Sequence, residues 1–178
     1  MSCWSIRALF DLPFAMLNPD ETMNYAVWDG RIKMMRLCKK WGATDFNGAI
    51  WRAAWDGHIE TVKLCKEWGA TNFNEAMWSA AYKGHIEIVE LCKEWGATNF
   101  DEAVRRAALE DHVEIVKLFR DWVGFEAIHQ ELFRHHHKRK CFRWIHDGVL
   151  PIAWHPDRFW NWCVDEEEKG VLKRMWES

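Results

Sequence analysis

Apolar and polar positions along this chain return every 27 residues from residue 19 onward. Residues 46–72 read FNGAIWRAAWDGHIETVKLCKEWGATN and residues 73–99 read FNEAMWSAAYKGHIEIVELCKEWGATN, identical at 20 of 27 positions. The same shift aligns FDEAVRRAALEDHVEIVKLFRDWVG at 100–124 and, backward, PDETMNYAVWDGRIKMMRLCKKWGATD at 19–45. Four repeats are therefore recognisable, and a fifth, degenerate one is expected from Phe125. Apolar residues recur at helical spacing and nowhere alternate as in a strand.

Each unit predicts two helices. Asp20, Asn47, Asn74 and Asp101 stand where a short polar N-cap belongs. Phe46 and Phe73 precede that position and are expected to staple onto Trp51 and Trp78. The first helix is expected to end near Gly30, Gly57 and Gly84. The second turns Ile59, Val62, Leu64, Cys65 and Trp68 inward and Glu60, Lys63 and Glu67 outward. Gly42, Gly69 and Gly96 then close it as C-caps. Helix pairs this short cannot bury their apolar faces alone, so they must stack as an all-α solenoid. The expected organisation is an N-terminal helical cap at 1–18, four repeats at 19–124, and a degenerate repeat with a C-terminal helical cap at 125–178.

The run A-A-x-x-G-H-I-E-I-V-x-L-C-K-E-W-G-A resembles the ankyrin repeat, which shares the AA-x-x-GH and L-x-x-x-GA landmarks. The unit has 27 residues where an ankyrin has about 33. The shortfall lies between the WGAT block and the next helix, where ankyrins carry a β-hairpin and a T-P-L-H motif. Short, Trp-rich units without that hairpin look like the ankyrin-like repeat families of large DNA viruses, marseilleviruses above all. The resemblance implies an all-α, right-handed helix-turn-helix solenoid of ankyrin-like repeats lacking the β-hairpin. It also implies a virus-encoded protein that binds a host or viral protein in the host cytoplasm, with the nucleus or the virion as alternatives.

Comparison among the repeats points to where a partner binds. Landmark positions hold still while three positions on one face of the first helix vary: Tyr25, Trp28 and Asp29; Arg52, Trp55 and Asp56; Ser79, Tyr82 and Lys83; Arg106, Leu109 and Glu110. Each set is spaced i, i+3, i+4, which brings its side chains together. Stacked, they make a stripe of aromatics and Leu flanked by charge, the composition that interface hot spots favour. The same spacing also suits Trp28, Trp55 and Tyr82 packing between neighbouring first helices, and the two readings stay open here. Trp41, Trp68, Trp95 and Trp122 end the second helices and read as structural.

Composition narrows the function. With 14 Trp in 178 residues the chain can build a core without disulfides or metals. A net charge of −3 argues against a general nucleic-acid or membrane-surface binder. No apolar run is long enough for a membrane span, and MSCWSIRALFDLPF lacks the basic region and cleavage site of a signal peptide. Cys38, Cys65 and Cys92 recur at a core position and read as small buried hydrophobes in a reducing compartment. His58, His85 and His112 are expected to hold the inter-helix turn by hydrogen bonding. The run RHHHKRKCFR at 134–143 reads first as a solvated helix face. Nucleic-acid binding there is a lower alternative, testable by salt dependence. Cys141, His146, His155 and Cys163 match no compact zinc spacing. No nucleotide-binding, hydrolase or metalloprotease signature is present. The reading is a non-enzymatic protein–protein interaction module, without cofactor or metal, whose partner is a protein. A structural component of a virus particle is the alternative.

Overall fold

The computed structural model describes residues 18–124, and the described residues form eight α-helices and no strand. Helix α1 (Pro19–Trp28) precedes α2 (Ile32–Lys40), and α3 (Phe46–Asp56) precedes α4 (Ile59–Glu67). They are followed by α5 (Phe73–Lys83), α6 (Ile86–Glu94), α7 (Phe100–Leu109) and α8 (Val113–Val123). Consecutive helices pack on each other within the pairs α1–α2, α3–α4 and α7–α8, and α1 also lies against α3. The described residues divide into two compact units, one holding 18–80 and 87–96, the other 81–86 and 97–124. Of the N-terminal cap expected at 1–18 only residue 18 is described, and the degenerate repeat and cap expected at 125–178 lie outside the described residues.

The 27-residue period is a period of burial. First helices bury positions i, i+1, i+4 and i+5: Ala49, Ile50, Ala53 and Ala54 in α3, and Ala103, Val104, Ala107 and Ala108 in α7. Alanine on this face loses no rotamer entropy on burial and lets backbones come close. Second helices add Val62, Leu64 and Cys65, then Ile88, Val89 and Cys92, then Ile115, Val116 and Phe119. Thr61 is buried too, although its side chain is polar. Ile59 and Trp68, expected inside, are half-buried.

The helix starts differ from the sequence expectation by two residues. Asn18 caps α1 by accepting from the Asp20 amide at 3.0 Å, and Asp45 caps α3 by accepting from the Gly48 amide at 2.8 Å. Asn99 plays this part for α7. Asp20, Asn47, Asn74 and Asp101 therefore lie inside the first turn. There Asn47 Oδ1 accepts from the backbone amides of Thr71 and Asn72, at 2.8 and 3.0 Å, one repeat further on. Asp20 Oδ1 does the same for Thr44 and Asp45, at 2.7 and 2.9 Å. Asp20 and Asn47, two of the supposed caps, are clamps onto the following link.

The staple is corrected with the cap. Phe46 and Phe73 are the first residues of α3 and α5, not residues outside them. Their rings meet Trp68 and Trp95 edge-on, with centroids 5.5 Å apart in both cases. Lys39 and Lys66 of the preceding second helices lie 4.8 and 4.5 Å from the same Trp rings, in cation–π contact. Helices α2 and α4 close in a Schellman motif. Gly42 N donates to Lys39 O and Ala43 N to Cys38 O, at 3.1 and 3.0 Å, and Gly69 and Ala70 repeat the pattern. Trp41 and Trp68 are thus the C-caps, and the glycines stand one residue beyond them.

Histidine joins repeats rather than only holding its own turn. His58 Nε2 donates to the Trp28 carbonyl at 3.1 Å, and His112 Nε2 to the Tyr82 carbonyl at 2.9 Å. The ring covers the glycine that ends the preceding first helix. A Cβ on Gly84 (φ +84°) would lie 2.7 Å from His112 Cε1. The fourth repeat puts Asp111 at this left-handed position, with φ 60°.

Two outcomes follow for stability. Asn47→Ala removes both exposed clamp bonds and is expected to cost about 0.5–1.5 kcal/mol in chemical denaturation; an unchanged midpoint would show the clamp is dispensable. Asp111→Gly relieves the left-handed strain and should raise stability by about 0.5–1 kcal/mol, read as a higher melting temperature.

Candidate functional site

The first turn of α3 sets the phase of its exposed face. Because Asp45 is the cap, Gly48, Trp51 and Arg52 come to one side, spaced i, i+3, i+4, and α1 presents Asn24, Tyr25 and Trp28 beside them. These six residues line an open groove of about 300 Å³. Tyr25 and Trp28 are 59% and 58% exposed, and Trp51 is 38% exposed. The other repeats carry Glu21, Glu75 and Glu102 where Gly48 stands, so only this repeat leaves that part of the helix without a side chain.

Arg52 is fixed at the edge of the groove. Its guanidinium carbon lies 4.7 Å from the centre of the Trp28 ring, and its Nε donates to Asp56 Oδ2 at 2.9 Å. An arginine stacked on one side and ion-paired on another keeps its planar orientation, which suits presentation of its remaining N–H groups. The groove can therefore offer apolar ring faces along its walls and directed donors at one end.

The twelve residues of the expected stripe meet different fates. Tyr25, Trp28 and Arg52 belong to the groove. Asp29 is exposed and pairs with Arg31 at 3.1 Å. Trp55 is half-buried with its ring 6.1 Å from that of Trp51, and Asp56 holds Arg52. Ser79 is only 3% exposed and its hydroxyl donates to the Glu75 carbonyl at 3.0 Å, so it presents no surface to a partner. Tyr82, Lys83, Arg106, Leu109 and Glu110 belong to the second unit. Tyr82 is half-buried; its phenol donates to the Glu110 carboxylate, and that bond and the negative charge push its pKa up. Lys83 Nζ lies 5.4 Å from the Tyr82 ring. Arg106 Nε donates to Glu102 at 2.7 Å, while Leu109 is 42% exposed. Partial burial pushes Glu102 up, but its bonds to Arg105 and Arg106 outweigh this and hold its pKa below the usual carboxylate range.

Sequence comparison missed Asn24, Gly48 and Trp51. Trp51 is matched by Trp78 in the next repeat but by Asn24 and Arg105 in the other two; the expected staple onto Phe46 made it look structural. The signal that would have found it is the change at Gly48 one turn earlier.

Among the described residues, no group of three or more His, Cys, Asp and Glu side chains is placed to hold a metal. No helix among them is long and apolar enough to cross a membrane. The 134–143 run and the Cys141, His146, His155 and Cys163 set lie outside the described residues. No protein-family model matches the chain, and a search of curated proteins finds no relative.

Cys38, Cys65 and Cys92 are free, buried thiols. Burial pushes Cys65 and Cys92 up to about 12, from an ordinary 9.0. Burial raises Cys38 as well, against a lowering backbone hydrogen bond. These thiols stay protonated in the folded chain where an unfolded chain would ionise. Their contribution is fully present below about pH 9 and is lost as pH rises toward 12. Denaturation midpoints should fall progressively between pH 8.5 and pH 10.5. Peptide mapping should show Cys65 and Cys92 protected from alkylation at pH 8, and labelling at the unfolded rate would contradict this.

Proposed function

We propose that this chain is a non-enzymatic protein–protein interaction module, an ankyrin-like helix-pair solenoid encoded by a virus, which binds a host or viral protein in the host cytoplasm. Its contact site is the groove of Tyr25, Trp28 and Trp51, with Arg52 as its polar edge. The observation that carries this reading is the clustering of three exposed aromatics in one concavity. Elsewhere large side chains such as Met23, Met35, Ile50 and Met77 are fully buried. Scattered exposed hydrophobics mean little, but contiguous ones mark contact surfaces.

The magnitudes suit that role. An aromatic side chain buries roughly 150–250 Å², and apolar burial is worth about 25 cal/mol per Å². Covering the exposed part of Trp28 alone would then contribute about 3 kcal/mol, within the range of a hot-spot residue. The spent donors of Arg52 orient the residue, and its free N–H groups can meet a carbonyl or carboxylate of the partner. The ankyrin-like and viral parts of the reading are supported by the AA-x-x-GH and LCKEWGAT blocks.

The test compares proteins crosslinked to wild type and to a Trp28→Ala/Trp51→Ala double variant in cell lysate, with melting curves for both. A partner held by wild type is expected to be lost by the variant, each substitution weakening binding by about tenfold or more. Melting should fall by less than the loss of two fully buried rings would cost, since Trp28 is 58% and Trp51 38% exposed. A correctly folded variant that captures the same partner at the same level overturns the site.

A further inference from the structure

We propose that the outer face of the second helices is a self-association surface, on which α2 of one copy docks against α6 of a second copy. The observation is the charge carried at three repeat-equivalent positions, spaced i, i+3 and i+7 on one helix face. In α2 these are Lys33, Arg36 and Lys40; in α6 they are Glu87, Glu90 and Glu94. All six are exposed. Among the described residues none of the six has an ion-pair partner.

The other two repeats show that this is not how the face is usually built. In α4 the positions hold Glu60, Lys63 and Glu67, with Lys63 Nζ 3.5 Å from Glu60. In α8 they hold Glu114, Lys117 and Asp121, with Lys117 Nζ 2.7 Å from Glu114. These helices neutralise themselves locally, as i, i+3 pairs do. Helices α2 and α6 instead carry like charges of opposite sign with no ion pair among the described residues, each destabilising to its own helix. A complementary surface removes both repulsions at once, and this chain carries both halves of it.

Geometry allows the pair to close. Lys39 on the Trp68 ring and Lys66 on the Trp95 ring put α4 next to α2 and α6 next to α4, all within one compact unit. A two-fold axis running along α4 then sets α2 against α6 of the second copy and α6 against α2. Both ends are satisfied by the same operation, as an isologous dimer requires. Leu37, beside Arg36 on this ridge, adds an apolar contact. It is 41% exposed, whereas Leu64 at the same position of the next repeat is 5% exposed. The surface belongs to the second helices and does not use the groove on α1 and α3.

Sedimentation equilibrium of the full chain tests this. Wild type should dimerise at 50 mM salt, and raising salt to 500 mM should weaken the dimer by about tenfold or more. Lys33→Glu/Arg36→Glu/Lys40→Glu and Glu87→Lys/Glu90→Lys/Glu94→Lys should each be monomeric with wild-type circular dichroism. Mixed in equal amounts, the two variants should form a heterodimer, because each reversal complements the other. A monomeric wild type at 50 mM salt overturns the proposal, and poly-glutamate binding to α2 in that case would assign the ridge to a separate acidic partner. A dimer indifferent to both reversals, or variants that fail to pair when mixed, would equally overturn it.

Discussion

The first two repeats depend on one polar side chain in the first turn of the first helix reaching forward into the link that follows. Asn47 Oδ1 holds the amides of Thr71 and Asn72, and Asp20 Oδ1 those of Thr44 and Asp45. Those amides sit in the short link between a closed second helix and a new first helix, where no helical partner is available to them. The bonds lie at exposed positions, so their effect is to order the link more than to avoid a buried loss. Satisfying two with one oxygen fixes the link's conformation and the distance between neighbouring repeats together. The histidine bond from His58 to the Trp28 carbonyl does the same at the other end of the first helix. Two polar ties and one close-packed alanine face are enough to hold a unit of 27 residues in register.

Much of this was legible in the sequence. The repeat period, the helix pairs, the buried column at Cys38, Cys65 and Cys92 and the glycines after the second helix are all local periodicities, and local rules read them. The caps were misread by two residues because Asp45 and Asn47 are both good N-cap types on either side of Phe46. Nothing local distinguishes them; the deciding partners, Thr71 and Asn72, are a full repeat away. That single slip propagated. With Phe46 placed outside the helix, Trp51 became its staple partner and so structural. With Phe46 at the first helical position its ring belongs to Trp68, and Trp51 is left half in solvent.

The candidate site was legible only in part, for a related reason. Variation between repeats is a fair guide to surface, and it found Tyr25, Trp28 and Arg52. It also included Ser79, whose hydroxyl is short enough to turn back onto the Glu75 carbonyl and be buried. It passed over Trp51 because the expected staple onto Phe46 assigned that ring to the interior. The groove exists where Gly48 replaces the glutamate of the other repeats, so its cause is a missing side chain, which a comparison of present side chains does not register.

The same clamps explain where the chain is free to differ from itself. Residues that tie one repeat to the next (Asn47, His58, the Trp column and its lysines) must be alike in every unit they join, since each is read by its neighbour. Two faces escape that constraint: the outer side of the first helices and the outer side of the second. On the first, variation produces an aromatic concavity between α1 and α3. On the second it reverses the charge of a ridge, from Lys33, Arg36 and Lys40 to Glu87, Glu90 and Glu94, without touching a buried position. A sequence drifting at random over an exposed helix face would mix signs within each helix, as α4 and α8 do. Segregation of all three cations to one helix and all three carboxylates to another costs local helix stability in both. A surface that tolerates this cost twice, with opposite sign, is more simply explained by a contact that cancels it than by solvation alone.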